Sequence, residues 1–387
     1  MSVRVGVGIS ESFDAVEAFT DAARDAALGL GGERCDLCLV FAGAPHLGRG
    51  KSILSAVHDG LAPAHLIGCG AGGVVGGGRE IEEGPAAVVW AAAMPEAKIV
   101  THHFETEQTA AGFDALGVPE ADALGEAMIV LADPYSFATE ALLGRVGELR
   151  PGMPVLGGLA SAAAAGSASL FRDGEVLDGG AVACSLAGVP LLPCVSQGAA
   201  PVGPEMTITA AEGNLIGELA SRPAIERLRE ALAELDPREQ ELAASGLMLG
   251  LVIDENKPEY LRGDFLVRPI IGVDSESGSL AISERVSIGQ TVRMQIRDGA
   301  SADEDLRDAL RAQTEALGRS RPAGVLIFTC NGRGSHMFRV PDHDASAIED
   351  TLGVPAGGFF CAGEIGPVGG RNFLHGFTAT MALFPAE

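Results

Sequence analysis

The sequence predicts an α/β protein of two domains with mixed sheets, and three observations indicate this class. A unit of strand, helix, strand, glycine-rich turn and strand recurs about three times, at a spacing of roughly sixty residues. Glycine is abundant at 53 residues, whereas aromatic residues make up only 5% of the chain. Between these units, in the C-terminal half, short β-like segments joined by polar links predict an antiparallel meander.

Length and composition set the domain organisation. A chain of 387 residues is too long for one ordinary core, and its 47% hydrophobic residues are enough to fill two. The segment Gly188–Gly203 is rich in proline and glycine, which favours a boundary there. We therefore expect domains at residues 1–200 and 201–387.

The charge balance disfavours two classes of partner. The formal net charge is −25, from 27 basic and 52 acidic residues, so the surface repels nucleic acid and anionic lipid. No apolar run reaches the length of a membrane span, and the N-terminus does not have the pattern of a secretory signal. Seven cysteines, several of them inside apparent core strands, are typical of reduced thiols. These features predict a cytoplasmic protein.

The first repeat follows an opening strand and helix. Val3–Ile9 alternates as a strand, and Ser10 or Ser12 can cap the helix that runs from about Asp14 to Leu28. The repeat itself comprises the strand Asp36–Phe41, a helix at about Lys51–Leu61, the strand His65–Cys69, a glycine tract and the strand Ala86–Met94. Ala97–Phe104 is a further strand.

The second repeat carries an insertion. Its elements are the strand Ala127–Leu131, a helix at about Phe137–Leu149, the strand Pro154–Gly158, a tract of small residues and the strand Ala181–Leu186. Within it, Ser169–Leu177 reads as a hairpin, because Asp173-Gly174 is a favoured two-residue turn.

The meander and the third repeat complete the chain. The predicted meander strands are Leu247–Ile253, Phe265–Val273, Leu280–Val286 and Thr291–Ile296. Ser301 with Glu304 forms a capping box that opens a helix to about Leu317. The third repeat then occupies Pro322–Phe384, with buried strands at Val325–Phe328 and Phe359–Cys361.

Polar residues follow both of these buried strands. Cys330, Asn331, Arg333 and Gly334 come after the first strand, and Gly363 with Glu364 come after the second. Because binding sites in α/β sheets form outside the carboxyl ends of strands, the two clusters predict a single site built from two loops. Arg79 aligns with this region in the first repeat, and Arg268 ends a meander strand, so both are further candidates to line the cleft.

Three interpretations of this cluster remain open. In the first, Arg333 binds a ligand carboxylate through its guanidinium fork, Asn331 and loop amides add hydrogen bonds, and Glu364 holds a ligand amine or Arg333. In the second, Arg333 and Glu364 form a structural ion pair. In the third, Cys330 is a nucleophile with His336 as its base and Glu364 as a general acid or base.

Two other motifs are weaker. Gly68–Gly73 matches the glycine pattern of dinucleotide sites, but the segment after it has no helical period, so the glycines are interpreted as tight turns. Cys35-x-x-Cys38 lies in a strand, where the two side chains diverge, and no second pair completes a zinc set. Core packing is the favoured interpretation of both thiols.

Several ordered motifs identify a family that the chain resembles. They are Val195-Ser196-Gln197-Gly198, Ala211-x-Gly213-Asn214-x-Ile216-x-Glu218-Leu219, Arg268-Pro269-Ile270-Ile271-Gly272-Val273-Asp274, Cys330-x-Gly332-Arg333-Gly334, Gly363-Glu364-Ile365-Gly366-Pro367 and His375-Gly376-Phe377-Thr378-Ala379-Thr380. In these residues the chain resembles the FIST proteins, closely in its C-terminal half and more loosely in its N-terminal half.

The resemblance implies a sensory, ligand-binding module with a FIST N-like domain followed by a FIST C-like domain. Members of the family occur fused to signalling enzymes and receptors, whereas no output domain is recognised here, so a separate signalling protein is the expected partner. Amino acids or small carboxylates are the implied ligands. Haem is a second implied ligand, with His336, His375 and Cys330 as the candidates for its axial position.

Two further expectations concern partners. A ligand-free interaction scaffold is the alternative to a sensor, and it predicts a cleft filled by side chains. Unpaired edges of the meander could also join two copies into a homodimer.

Overall fold

The computed structural model describes residues 3–110, 112–162, 169–318 and 320–386. The chain forms two compact units: a large unit of Met1–Val195 with Leu306–Glu387, and an inserted unit of Ser196–Asp305. The inserted unit thus begins close to the boundary expected after residue 200, and the chain then returns to the large unit. The sequence-defined domains 1–200 and 201–387 stay a prediction.

The strands are numbered in chain order. The first group is β1 (Arg4–Ser10), β2 (Leu37–Gly43), β3 (His65–Ala71), β4 (Val74–Gly76), β5 (Arg79–Ile81), β6 (Ala87–Ala93), β7 (Lys98–Thr109), β8 (Gly112–Leu116), β9 (Ala127–Ala132), β10 (Val155–Leu159), β11 (Leu170–Arg172), β12 (Glu175–Leu177), β13 (Ala181–Ala187) and β14 (Leu192–Gln197). The second group is β15 (Ala199–Glu212), β16 (Leu215–Leu219), β17 (Arg222–Pro223), β18 (Leu247–Val252), β19 (Phe265–Asp274), β20 (Ser279–Ile282) and β21 (Thr291–Arg297). The third group is β22 (Pro322–Cys330), β23 (Ala356–Cys361), β24 (Glu364–Val368), β25 (Arg371–His375) and β26 (Thr378–Pro385).

The helices connect and cover these strands. They are α1 (Ala15–Leu30), α2 (Gly50–Leu61), α3 (Thr139–Leu149), α4 (Ala224–Glu234), α5 (Pro237–Gly246), α6 (Gly299–Leu317), α7 (Ser335–Phe338) and α8 (His343–Leu352), with 3₁₀ turns at Ala44–Arg49 and Arg262–Asp264. The mixed α/β class predicted from the sequence is confirmed.

Three sheets of the large unit share one internal arrangement. Each is centred on two parallel strands joined by a helical crossover: β2 and β3, β9 and β10, and β22 and β23. An antiparallel strand lies beside the first of each pair: β6, β13 and β26, respectively. The predicted order of strand, helix, strand, turn and strand is therefore present in each sheet. The sequence repeat itself stays a prediction.

The hairpins exchange between the sheets in a cycle. The hairpin β4–β5, which follows β3, pairs with β23 of the third sheet. The hairpin β11–β12, which follows β10, pairs with β3 of the first sheet. The hairpin β24–β25, which follows β23, pairs with β10 of the second sheet. Each sheet is thus completed by a hairpin that follows a parallel strand of another sheet.

The core of the large unit lies between these sheets. Phe41 of β2 stacks on Phe359 of β23 with ring centroids 4.9 Å apart, and Trp90 of β6 lies 5.3 Å from Phe384 of β26. The Trp90 indole donates to the carbonyl of Val325, so its one polar atom is satisfied inside the core. Aromatic side chains from different sheets therefore hold the interlocked strands together.

Small residues allow α1 to lie directly on β1. A Cβ atom at Gly6 would lie 2.0 Å from the carbonyl oxygen of Ala26, and one at Gly8 would lie 1.9 Å from that of Ala22. Asp14 caps the helix by accepting hydrogen bonds from the amides of Val16 and Glu17. The glycines of the first strand therefore serve close helix packing.

The strands of the inserted unit close on themselves. The order runs β15, β21, β18, β19, β20 and β16, and β16 pairs again with β15. The antiparallel strands expected from the sequence are present, but β21 returns beside β18 instead of following β20. Each of the strands β18 to β21 therefore has a neighbour on both sides. The homodimer expected from meander edges stays a prediction.

The cyclic exchange predicts that the N-terminal half cannot fold alone. We expect a chain ending at Arg222 to lack cooperative unfolding, because β4 then loses β23 and β10 loses β24. A control chain that joins residue 195 to residue 306 through a short glycine linker keeps all three sheets and should unfold cooperatively. Calorimetry and circular dichroism measure both, and a cooperative transition in the shorter chain would contradict the exchange.

Candidate functional site

Three glycine-rich strand ends of the large unit meet at one point. The Ser161 hydroxyl, just after β10, donates to the carbonyl of Phe360 in β23. The Ser161 hydroxyl oxygen also accepts a 2.8 Å hydrogen bond from the amide of Gly72, just after β3. The amide of Phe360 donates to the carbonyl of Gly73 at 3.0 Å. The carboxyl ends of the second parallel strand in each sheet therefore converge, as a binding site of an α/β protein requires.

The two polar clusters of the third repeat lie side by side at this junction. Cys330 and Cys361 occupy paired positions on the parallel strands β22 and β23. The Asn331 amide donates to the Cys361 carbonyl at 2.9 Å, and the Asn331 residue is exposed. The Cys330 thiol hydrogen-bonds with the Glu364 carboxyl. The residues from Asn331 to Gly334 and those from Gly363 to Gly366 thus share one location, and their role in binding stays a prediction.

Glu364 is a completely buried carboxyl group at the start of β24. Its Oε2 accepts hydrogen bonds from the Thr378 amide at 3.1 Å and the Thr378 hydroxyl at 2.8 Å. Its Oε1 has no N–H or O–H partner among the described residues. Burial raises the pKa of Glu364 to about 8, although the Thr378 bonds oppose this shift. At neutral pH the group is therefore mostly a neutral acid with one unused oxygen.

The Cys330 thiol is held in its protonated form. Burial, followed by the neighbouring Glu364 carboxyl, raises the pKa of Cys330 to about 12. A nucleophilic cysteine requires a depressed thiol pKa, so the environment opposes this role. His336, the base suggested by the sequence, is exposed on the four-residue helix α7.

Arg333 is fully buried and pairs with Asp344. Its Nε and Nη2 atoms donate to the two carboxylate oxygens of Asp344, each at 2.8 Å. Thr329 and His343 also contact this carboxylate, at 2.6 Å and 2.9 Å. Although burial acts in the opposite direction, these partners hold the pKa of Asp344 well below its ordinary range. Asp344 similarly raises the pKa of Arg333 despite burial.

Two interpretations of Arg333 are corrected by this pairing. The guanidinium fork predicted to receive a ligand carboxylate is taken by Asp344, and the structural ion pair predicted with Glu364 forms with Asp344 instead. The Arg333 Nη1 atom has no hydrogen-bond partner in the part of the chain that the structure describes. A ligand could therefore reach Arg333 through Nη1 alone.

Carboxylates from β5 and the residue after it attach the α7–α8 segment to the site. Glu80 accepts a hydrogen bond from the Ala345 amide at 3.0 Å, in the first turn of α8. Glu82 accepts one from the Ser335 amide at 2.8 Å, at the start of α7. Burial, and secondarily Asp344, raises the pKa of Glu80 to about 7. These two acids hold the segment that covers Arg333.

Aromatic stacking completes this cover. The rings of Phe338 and His343 stack with centroids 3.4 Å apart and planes 4° apart. The Arg333 guanidinium lies 5.0 Å from the centre of the Phe338 ring. The segment therefore contacts Arg333 on a ring face as well as through Asp344.

The remaining predicted site residues lie in three places. Gly363 accepts a 2.8 Å hydrogen bond from the Leu159 amide, and Gly334 lies against Glu82, so both belong to the junction. Arg79 is exposed and pairs with Glu11. Arg268 belongs to the inserted unit, where it donates to Glu284 at 2.9 Å and 3.1 Å. The described contacts do not bring Arg79 or Arg268 to Glu364.

Sequence reasoning missed several residues of the junction. Asp344, Glu80 and Thr378 contact the predicted residues but have no distinctive motif around them, and Ser161 lies in a tract of small residues. The alignment of Arg79-Glu80 with Gly363-Glu364 could have indicated Glu80, because it places Glu80 at the position of Glu364 in the repeat. Asp344 follows His343 at the start of the polar helix α8. From the sequence alone, a charged residue at this position is expected to face solvent.

Haem does not fit the three axial candidates. Cys330 is protonated, the His375 Nε2 atom is bonded to the carbonyl of Gly366 at 3.0 Å, and His336 is exposed. Within the described residues, no group of three or more histidine, cysteine or acidic side chains is placed to hold a metal ion. No helix in the described ranges is long and apolar enough to span a membrane.

The other motifs are structural. Cys35 and Cys38 are buried, and their thiols hydrogen-bond each other. The expected divergence of these side chains is wrong, because Cys35 precedes β2 and is not part of the strand. The segment Gly68–Gly73 runs from β3 into a turn and β4, without the helix that a dinucleotide site needs.

Comparisons with known proteins cover almost the whole chain. The model of the FIST N domain matches residues 36–222, and the model of the FIST C domain matches residues 224–367. An uncharacterized protein of Mycobacterium tuberculosis is 44% identical over 385 residues, which cover 99% of this chain and 100% of that protein. An uncharacterized protein of Mycobacterium bovis is 43% identical, with 99% of both chains covered.

The Arg333–Asp344 pair can be tested by removing one partner and then both. We expect Arg333→Met to lower the free energy of unfolding by about 3–5 kcal/mol, because it leaves a buried carboxylate without its cation. The double variant Arg333→Met/Asp344→Leu should recover much of that loss. Urea unfolding measures both, and equal losses in the single and double variants would show that the charges do not depend on each other.

The neutral state of Glu364 can be tested by pH. Its pKa is about 8 in the native protein and 4.5 in the unfolded chain, so the native state holds the extra proton between these values. This contribution to stability is present below pH 4.5 and is lost as the pH rises to 8. In Glu364→Gln we expect a flatter decline over that window, with exposed Glu96→Gln as the matched control. Parallel stability curves for Glu364→Gln and the wild type would contradict the raised pKa.

Proposed function

The chain belongs to the FIST family, whose domains are generally signal-transduction sensors, and from this premise we propose that it binds a small amino acid at the strand junction. One observation carries the proposal: a carboxyl oxygen and a guanidinium nitrogen, both buried at the junction, have no nitrogen or oxygen partner among the described residues. These atoms are the Oε1 of Glu364 and the Nη1 of Arg333. Unsatisfied buried polar atoms of this kind are rare in folded proteins.

The two atoms have complementary chemistry. The Nη1 atom of Arg333 is a cationic donor suited to a ligand carboxylate, and the Oε1 atom of Glu364 is an acceptor suited to a ligand ammonium. An amino acid carries both groups on one carbon atom. A simple carboxylate would engage Arg333 alone and leave Glu364 without a partner. The pair of atoms therefore favours an amino acid over a small carboxylate as the ligand.

Binding is coupled to the proton on Glu364. An ammonium group beside Glu364 stabilises the carboxylate form, so the ligand would expel the proton that burial keeps on this side chain. The site would then change from a neutral acid to an ion pair upon occupancy. We expect affinity for an amino acid to rise with pH up to the pKa of Glu364, which is about 8.

Signal transmission is proposed to run through the α7–α8 segment. This segment covers Arg333 and is held by Glu80 and Glu82 from a distant part of the chain. A carboxylate at the Arg333 Nη1 atom would share the guanidinium with Asp344 at the start of α8, which changes the charge balance around Glu80. A separate signalling protein would then bind the α7–α8 segment in its changed position. The thiol-enzyme alternative is disfavoured, since the environment raises the pKa of Cys330.

A thermal melt against single amino acids tests this function. A ligand at a hundred times its dissociation constant should stabilise the protein by about 2.7 kcal/mol. Acetate and methylamine, each carrying one of the two groups, are the probes that should give a much smaller shift. The proton coupling predicts a larger shift at pH 8 than at pH 6 for the active amino acid.

Glu364→Gln is the decisive variant, with Glu96→Gln as its control. Glutamine can keep an acceptor toward Thr378 but places an amide group where Oε1 accepts the ligand ammonium. We expect the amino-acid shift to disappear in Glu364→Gln and to persist in Glu96→Gln. Equal shifts in the two variants, or no shift from any of the twenty common amino acids, would refute the proposal.

A further inference from the structure

The inserted unit contains a glutamine whose amide has no partner. Gln295 lies in β21, between Met248 of β18 and Pro201 of β15, and its side chain is completely buried. Neither its Oε1 nor its Nε2 atom makes a hydrogen bond to any residue that the structure describes. A buried polar group left unsatisfied destabilises the folded state, so both ends of this amide require an explanation.

A second buried glutamine has one unused atom. The Nε2 atom of Gln197 donates to the carbonyl of Phe265 at 2.9 Å, whereas its Oε1 atom has no partner among the described residues. The backbone of Gln197 is fixed, because its amide donates to Asp305 at 2.7 Å and the adjacent Ser196 hydroxyl donates to the same oxygen at 2.8 Å. This side chain therefore presents an acceptor from a well-anchored position.

Gly250 connects the two glutamines. A Cβ atom at Gly250 would lie 2.6 Å from the Gln295 Nε2 atom and 3.0 Å from the Cβ of Phe265, whose carbonyl receives Gln197. The missing side chain at this position of β18 gives the Gln295 amide its room. Phe265 thus links the two amides, because its Cβ lies near the Gly250 position beside Gln295 and its carbonyl accepts from Gln197. Three polar atoms of the two side chains have no partner among the described residues.

Three charged side chains near these strands, two on β19 and β21 and one on α6, are already engaged. Arg268 of β19 pairs with Glu284, and Arg293 of β21 donates to the carbonyl of Gly203 at 2.9 Å. Asp305 accepts from Ser196 and Gln197. A charged ligand would meet no free counter-charge among these three, and burying it would be costly. The unused atoms comprise a donor and two acceptors, which match a neutral group that carries both functions.

We propose that Gln295 and Gln197 form a binding site for a small neutral ligand with a planar amide edge, such as a carboxamide. An amide edge offers an N–H group and a carbonyl oxygen side by side, and a glutamine amide pairs with it through two parallel hydrogen bonds. The Gln197 Oε1 atom accepts the second N–H of a primary carboxamide. This site lies in the inserted unit and does not depend on the amino-acid site of the large unit.

Side-chain NMR of the full-length protein labelled with ¹⁵N-glutamine tests the site, with acetamide and nicotinamide as probes. We expect saturable shifts of the Gln295 and Gln197 side-chain amide signals with these carboxamides and none with acetate or nicotinate. Gln295→Met, which keeps the volume but removes both polar atoms, should abolish the shift of Gln197. Gln290→Met, on the same segment, is the matched control and should leave the response intact.

Two results would overturn the proposal. One is the absence of a saturable response to either carboxamide, with the Gln295 amide protons in contact only with a long-lived water molecule. The other is an unchanged response in Gln295→Met. Because Glu364→Gln should retain the carboxamide response, a failure of this site is distinguishable from a failure of the amino-acid site.

Discussion

The cyclic exchange of hairpins is the constraint on which the rest of the large unit depends. Each of the three sheets includes a hairpin that follows a parallel strand of another sheet, so none of the three is complete without the others. The exchange also sets the geometry of the junction. The hairpins β4–β5 and β24–β25 cross to another sheet directly after the parallel strands β3 and β23, so these two crossings lie at the strand ends of the junction. Gly72, Gly73 and Gly363 lie in these two turns, where bulkier residues would separate the crossing chains.

Burial at the junction determines its chemistry. A carboxyl group, a thiol and a guanidinium are all removed from water at the junction, and burial decides which of them is charged. Glu364 keeps its proton, Cys330 keeps its proton, and Arg333 keeps its charge because Asp344 pairs with it. The arrangement leaves a neutral acid and one free guanidinium nitrogen as the available groups. This combination suits reversible binding better than covalent chemistry, which would need a thiolate.

Much of the fold and part of the site followed from the sequence. The strands with β-branched and small apolar residues, such as 37–43 and 127–132, were predicted within a few residues, because a fully buried strand has an unmistakable apolar run. The hairpin at Asp173-Gly174 was also predicted, and it is confirmed. Its pairing with the first sheet was not, because a turn fixes the local hairpin but carries no information about a distant partner strand.

The site shows the same division. Adjacent strand ends predicted that Cys330 and Glu364 would be neighbours, and this follows from the parallel pairing of two consecutive strands. The partner of Arg333 could not be predicted, since Glu364 and Asp344 are both acids at plausible distances along the chain. Packing of α8 over the strand end decides between them. The sequence indicated the inserted unit through its short β-like segments with polar links. Its closed ring, however, depends on the long-range pairings of β15 with β21 and of β16 with β20.

The pairing of β4 with β23 has a consequence for synthesis on the ribosome. Gly76 of β4 and its partner Gly357 of β23 are 357 − 76 = 281 residues apart, so at about 5–20 residues per second the hairpin β4–β5 waits roughly 14–56 s for its partner strand. Throughout that interval the β4 edge that later pairs with β23 is open on the nascent chain. The large unit therefore cannot complete its sheets until its C-terminal strands have been synthesised.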